Sequence, residues 1–150
     1  MKSVFNSADT QDLLNRIDKL SPDSVAHWGK MSVSQMLAHC NVSYELIYEN
    51  KHPKPNFLMK LILKLLVKDK VVSDKPYKHN LQTAPVFLVK DDKDFATEKS
   101  RLINYINKTQ HLGETYFDGK ESHSFGVLSK QEWNNMLYKH LDHHLSQFGV

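Results

Sequence analysis

His140 and His144 stand four residues apart in the run Tyr138-Lys-His-Leu-Asp-His-His-Leu-Ser-Gln147. Taking Trp133 as the origin and turning about 100° per residue, Met136, Leu137, His140, Leu141, His144 and Phe148 fall on one side of a helix. Both imidazoles are therefore aimed at a core. A buried imidazole without a partner costs about 1–3 kcal/mol, a large part of the ~5–15 kcal/mol that holds a domain folded. A lone histidine on an apolar stripe is usually a core residue bonded to a carbonyl or hydroxyl. Two at i and i+4 instead bring two ring nitrogens to one side, the spacing with which a helix donates two ligands to one metal ion. No glutamate follows His140 directly, so the zincin protease chemistry built on H-E-x-x-H lacks its general base.

A third ligand has to come from a facing helix, because bundles build metal sites from side chains on several helices. His27, His52, His79, His111 and His123 fall in predicted loops or helix ends. His143 shares the last helix but points about 80° away from the centre of the pair. His39 alone lies inside another predicted helix, about 60° from Met36 on the flank of its apolar stripe, and is the expected third ligand. Cys40 follows it directly and points about 100° away, which reads as a core thiol rather than a fourth ligand. Gln35 and Gln147 either orient ligand imidazoles or serve as capping and solvated groups. His123 and His143 either reach the pocket or face solvent.

The elements that must position these residues are predicted to be helical. A first helix is expected over about Ala8–Leu20, opened by Ser7 or Asp9 and closed by Ser21-Pro22-Asp23. A second begins at the capping box Ser32 and Gln35 and ends near Asn50. A third, about Asn56–Lys68, sets Lys60, Lys64 and Lys68 on one line and leaves nearly everything else apolar. So wide an apolar face should be covered on two sides, by the bundle and the following loop or by a second subunit. Residues 70–91, with Pro76 and Pro85, form a long connection suited to a lid or pocket wall, with a short extended piece at Val86–Val89 that founds no sheet. A fourth helix is expected over about Asp92–Lys108, then a connection at His111–Leu128 with Gly113, Gly119 and Gly126. The capping box Ser129 and Glu132 opens the last helix, which runs to about Gln147. The expected architecture is all-α, one domain over residues 1–150.

The net charge of +3 is spread along 150 residues without a Lys/Arg block, and no nucleic-acid-binding pattern is present. The longest apolar stretch, Phe57–Val67, is interrupted by Lys60 and Lys64 and falls well short of the ~20 residues that span a bilayer; it also has the make-up of an interfacial helix. The lone Cys40 closes no internal disulfide, and no leader-like segment precedes Ser7, so a reducing cytoplasm is the expected setting.

The segment Trp28-Gly-Lys-Met-Ser-Val-Ser-Gln-Met-Leu-Ala-His39 resembles the opening helix pattern of the DinB-like (YfiT-type) superfamily. The tail from His140 to Gln147 is similar to its closing H-x-x-H-H-x-x-Q pattern, and His123–Trp133 to a branch whose members are largely of unknown function. The resemblance implies a four-helix up-down-down-up bundle, here with an additional short helix and long loops. It also implies a mononuclear metal held by His39, His140 and His144. Three neutral imidazoles suit zinc first, and nickel or ferrous iron, and leave positions for water or substrate. Superfamily members with known activities are thiol-dependent transferases, isomerases and hydrolases of small molecules, some with a low-molecular-weight thiol as cosubstrate. The leading expectation is thus a metal-dependent enzyme acting on a small-molecule substrate. The competing one is a non-catalytic bundle that uses its third helix to form a homodimer or bind a partner, and a third is weak membrane association through Phe57–Lys68.

Overall fold

The computed structural model describes residues 1–150 and is all-α apart from one minimal hairpin. Its helices are α1 (Ser7–Asp18), α2 (Val33–Tyr48), α3 (Phe57–Leu66), α4 (Lys68–Val72), α5 (Phe95–Phe117) and α6 (Lys130–Gln147), with a 3-10 turn at Pro85–Phe87. The strands β1 (Glu121–Ser122) and β2 (Gly126–Val127) pair antiparallel between α5 and α6.

Local chemistry sets most of these boundaries. Asn6, one residue earlier than expected, opens α1 by accepting from the Ala8 and Asp9 amides. Ser32 with Gln35 and Ser129 with Glu132 form reciprocal capping boxes at α2 and α6, satisfying amides that a helix start otherwise leaves bare. The expected third helix breaks at Val67 (φ −117°, ψ −36°) into α3 and α4. The extended piece expected at Val86–Val89 is replaced by the 3-10 turn, where Pro85 presets the helical φ at its first position.

The largest departure from the sequence reading is α5, which runs past Lys108 to Phe117. It is interrupted only at Gly113 (φ 71°, ψ 172°), in a region that glycine enters at no steric cost. The driving force is visible at its end. Phe117 is fully buried, with its ring 5.2 Å from Phe5 and 5.5 Å from Trp133, and burying a phenyl group is worth about 1.5–3 kcal/mol. The rest of the expected loop folds into the hairpin, which Ser122 staples by donating to the Gly126 carbonyl and accepting from the Phe125 amide.

A 20-residue apolar core joins α1, α2, α5 and α6, with Leu13, Ile17, Met36, Leu37, Leu102, Ile106, Leu137 and Leu141 among its members. Polar clamps on α6 position the outer pieces. Arg16 of α1 donates to Asp142 at 2.7 Å and to the Val150 carbonyl at 2.9 Å. Asn135 donates to the Val72 carbonyl, and Lys139 to the Lys70 and Ser73 carbonyls at 2.9 and 2.6 Å, so α4 is pinned to α6. Helix α3 contributes no buried residue. Neither the bundle nor the loop covers its apolar face, so of the two covers expected from the sequence the one from within the chain is not found.

Candidate metal centre

Helices α2 and α6 pack against each other and bring His39, His140 and His144 together. One nitrogen from each ring lies within 4.8 Å of the others, close enough to share one ion. Ring centroids are 4.6 to 4.9 Å apart. His39 sits on the flank of the apolar stripe of α2, and the flank is what faces α6. Cys40 instead points into the core at 1% exposure, against the Met36 sulfur at 3.7 Å, and burial pushes its thiol far up. It takes no part in the cluster.

The partners of the imidazoles decide which nitrogen each ring offers. His39 Nδ1 lies 2.9 Å from the Phe87 carbonyl. A carbonyl only accepts, so Nδ1 carries the proton and Nε2 keeps its lone pair. His144 Nδ1 lies 2.8 Å from Gln147 Oε1. That amide orientation is fixed because Gln147 Nε2 donates to the Trp28 carbonyl at 2.6 Å; again Nε2 is the bare nitrogen. His140 Nδ1 lies 3.0 Å from the Ser43 hydroxyl, a group that both donates and accepts. His140 alone can therefore exchange tautomers. With Ser43 donating, His140 Nε2–H points at His39 Nε2, 2.9 Å away; with Ser43 accepting, all three Nε2 atoms are bare. Such outer partners fix tautomer and ring orientation in histidine metal sites.

The electrostatics match that chemistry. Burial lowers all three imidazoles from their ordinary range, and a neighbouring imidazole adds to it in each, His143 for His39 and chiefly the other rings of the cluster for His140 and His144. His140 falls well below its usual value, and His144 drops to about 3. In His39 the Phe87 carbonyl works in the opposite direction without reversing the shift. At neutral pH the cluster is three uncharged donors, the form a divalent cation requires.

Gly29 belongs to this arrangement although it bears no functional group. It has φ +84°, and a Cβ there would sit 2.5 Å from Gln147 Nε2, so the amide that holds His144 occupies the space a side chain would fill. Around the cluster, Phe87 tilts against His39 and His140 at 5.3 and 5.7 Å. His143 stands edge-on to His144 at 5.1 Å and lines a pocket with Trp28, Tyr77, His79 and Lys139. His79 stacks on Trp28 at 3.8 Å. His123 lies outside the cluster, bonded to Ser124, and Gln35 serves the cap of α2.

Ser43, Phe87 and Trp28 were not singled out by sequence reasoning as supports of the cluster. Ser43 had a signal, since it lies one turn beyond His39 on α2. Phe87 and Trp28 act through backbone carbonyls, which no side-chain pattern marks.

Comparison with known proteins gives one family. A family described as proteins of unknown function, DUF1569, matches residues 2–149. The chain belongs to this DUF1569 family. No curated protein and no solved structure matches. As a DUF1569 member, the chain carries a three-histidine cluster able to coordinate a metal ion, and none of its helices is long and apolar enough to cross a membrane.

Proposed function

We propose that this protein is a metal-dependent enzyme of the DinB-like type, with His39, His140 and His144 as ligands to one divalent ion, zinc first and nickel or iron next. The observation that carries the reading is that two of the three rings are fixed with Nε2 bare, by acceptors that cannot donate, and that all three are neutral. When bound, such an ion supplies Lewis acidity and lowers the pKa of a coordinated water or thiol toward neutrality. The chain's own residues do the rest. Phe87 and Gln147 hold His39 and His144 in their ligating tautomers, and Ser43 accepts from His140 once its Nε2 is needed as a donor of electrons. Three protein ligands leave room for a further one, as catalytic sites do. The reaction class is hydrolysis, or transfer to a low-molecular-weight thiol, on a small molecule. In this reading the chain is one domain, folded as an up-down-down-up bundle with added short elements, and works in the cytoplasm without nucleic acid.

Metal analysis of protein purified without a histidine tag tests it directly. One equivalent of ion, with a rise in thermal midpoint on adding Zn²⁺ or Ni²⁺, is expected; neither would sink the proposal. A second reading is favoured by one observation: the chain from Ser43 through His140 and His39 to the Phe87 carbonyl is also a complete hydrogen-bond relay without an ion. In that case the bundle is non-catalytic and its histidines are structural. Replacing His140 with Leu and His144 with Gln separates the two readings: on the structural one the parent binds no ion and the substitutions only lower stability by breaking the relay, whereas on the metal one they abolish ion binding.

A further inference from the structure

Helix α3 is inside out. On a wheel of about 100° per residue, Lys60, Lys64 and Lys68 form one edge of the helical line, and the first and last of them turn toward the protein. Lys60 lies 3.6 Å from Glu121 of β1, and Lys68 lies 2.7 Å from Glu132 in the first turn of α6. The half-buried Leu63 and Val67 occupy the same side. The opposite face consists of Leu58, Leu61, Ile62, Leu65 and Leu66, exposed at 64%, 43%, 40%, 70% and 68%. An amphipathic helix of a globular protein ordinarily turns the other way, apolar face inward.

We propose that α3 docks this protein reversibly on an anionic lipid surface, its outward face entering the headgroup boundary while the helix lies flat. Charge complementarity selects the lipid. Residues 51–70 hold six lysines and a single acid, Asp69. Of these, Lys54, Lys64 and Lys70 are exposed and form no ion pair. Exposed lysines in and beside a helix with an outward apolar face are the composition of an interfacial helix. A second copy of the chain fits this face poorly. Two-fold pairing would set one lysine-rich segment against another. A ten-residue helix is about 15 Å long and about 10 Å across, so one face supplies on the order of a few hundred Å², below the ~800 Å² per partner of a stable interface. Docking does not require a span, and α3 is far too short for one. The docked helix is held to the body through α4, whose end is pinned by Asn135 and Lys139 on the same helix that carries His140 and His144.

Flotation of the full chain with vesicles of phosphatidylcholine, with and without phosphatidylglycerol, tests the proposal. Partition onto the anionic vesicles, weakened by added salt, is expected. The double substitution Leu58→Asp and Leu65→Asp should abolish it. The double substitution Lys54→Glu and Lys64→Glu should reduce it about tenfold or more. None of these side chains is buried, so helical content and thermal midpoint should stay at the parent values, which excludes misfolding as the cause. No partition onto anionic vesicles, or partition that the leucine substitutions leave unchanged, overturns the proposal. So does a concentration-dependent dimer that those substitutions abolish, since the face then belongs to a second copy.

Discussion

Replacing Gln147 with leucine tests how the candidate ligand His144 is held. The side chain is 3% exposed and makes two bonds in opposite directions, accepting from His144 Nδ1–H and donating to the Trp28 carbonyl. Leucine leaves both partners unpaired in a site closed to most water. At about 1–3 kcal/mol for each of the two orphaned groups, the metal-free protein should lose about 2–6 kcal/mol, readable as a lower urea midpoint. Zinc binding should weaken by a further 10- to 100-fold, roughly the cost of removing an outer partner of a metal-ligating histidine, because His144 becomes free to rotate and change tautomer. Glutamate at the same position separates the two bonds. A carboxylate still accepts from Nδ1–H but cannot donate to Trp28, so Gln147→Glu should lose stability while holding zinc within about threefold of the parent affinity. Isothermal titration with zinc on all three proteins reads both effects. If Gln147→Leu keeps its zinc affinity within about threefold, Gln147 supports only the end of α6, and the tautomer argument for His144 is wrong.

Three further outcomes follow from the same geometry. Gly29→Ala should weaken zinc binding without touching a histidine, because its Cβ would displace Gln147 Nε2 from 2.5 Å away; unchanged affinity would mean the amide is free to move aside. His39→Ala should lose the ion while retaining most helical content by circular dichroism, and tight binding in that variant would send the search for the third ligand to His143 or His123. The metal-free protein should also be acid-sensitive in a defined window. The folded-state values of His39, His140 and His144 are depressed, so the unfolded chain binds more protons below its ordinary imidazole value of about 6.5. Stability is then complete above that pH and declines as pH falls toward the value of about 3 for His144, by about 1.4 kcal/mol per pH unit for each group that stays neutral. Urea midpoints between about pH 6.5 and pH 5, above the ordinary carboxylate range, isolate the imidazoles; a flat profile there contradicts their burial.

What was legible in the chain divides along physical lines. The capping boxes at Ser32 and Ser129 are complete within four residues each, and both helices start where those boxes put them. The pairing of His140 with His144 is a property of helical spacing, and His39 on the flank of α2 needed only the knowledge that a facing helix must supply the rest. Phe117 was not legible. Its pull on α5 comes from Phe5 and Trp133, residues remote in sequence, and it overrides the glycine that suggested a loop. The orientation of α3 was hidden for a similar reason, since the pattern of lysines and leucines is the same whichever face meets the protein. The partners that meet its inward side, Glu121 and Glu132 for the lysines and the α6 residues that pin α4, lie far along the chain.

The loop between α4 and α5 gains its importance from one atom. The Phe87 carbonyl fixes the tautomer of His39, so the nitrogen that His39 offers depends on where residues 85–87 sit. If that turn moves away, His39 can place its proton on either nitrogen, and part of the energy of binding an ion must be spent on choosing one. Linkage makes the dependence reciprocal: whatever favours the bare Nε2 of His39 also favours the closed position of the turn. An ion shared by the histidines would therefore tighten the covering of its own site. The single adjustable ring, His140, stands opposite, where Ser43 accommodates either tautomer. Two rings set in advance and one free to switch allow the cluster to form without unpaired donors before an ion arrives and to present three lone pairs once it does.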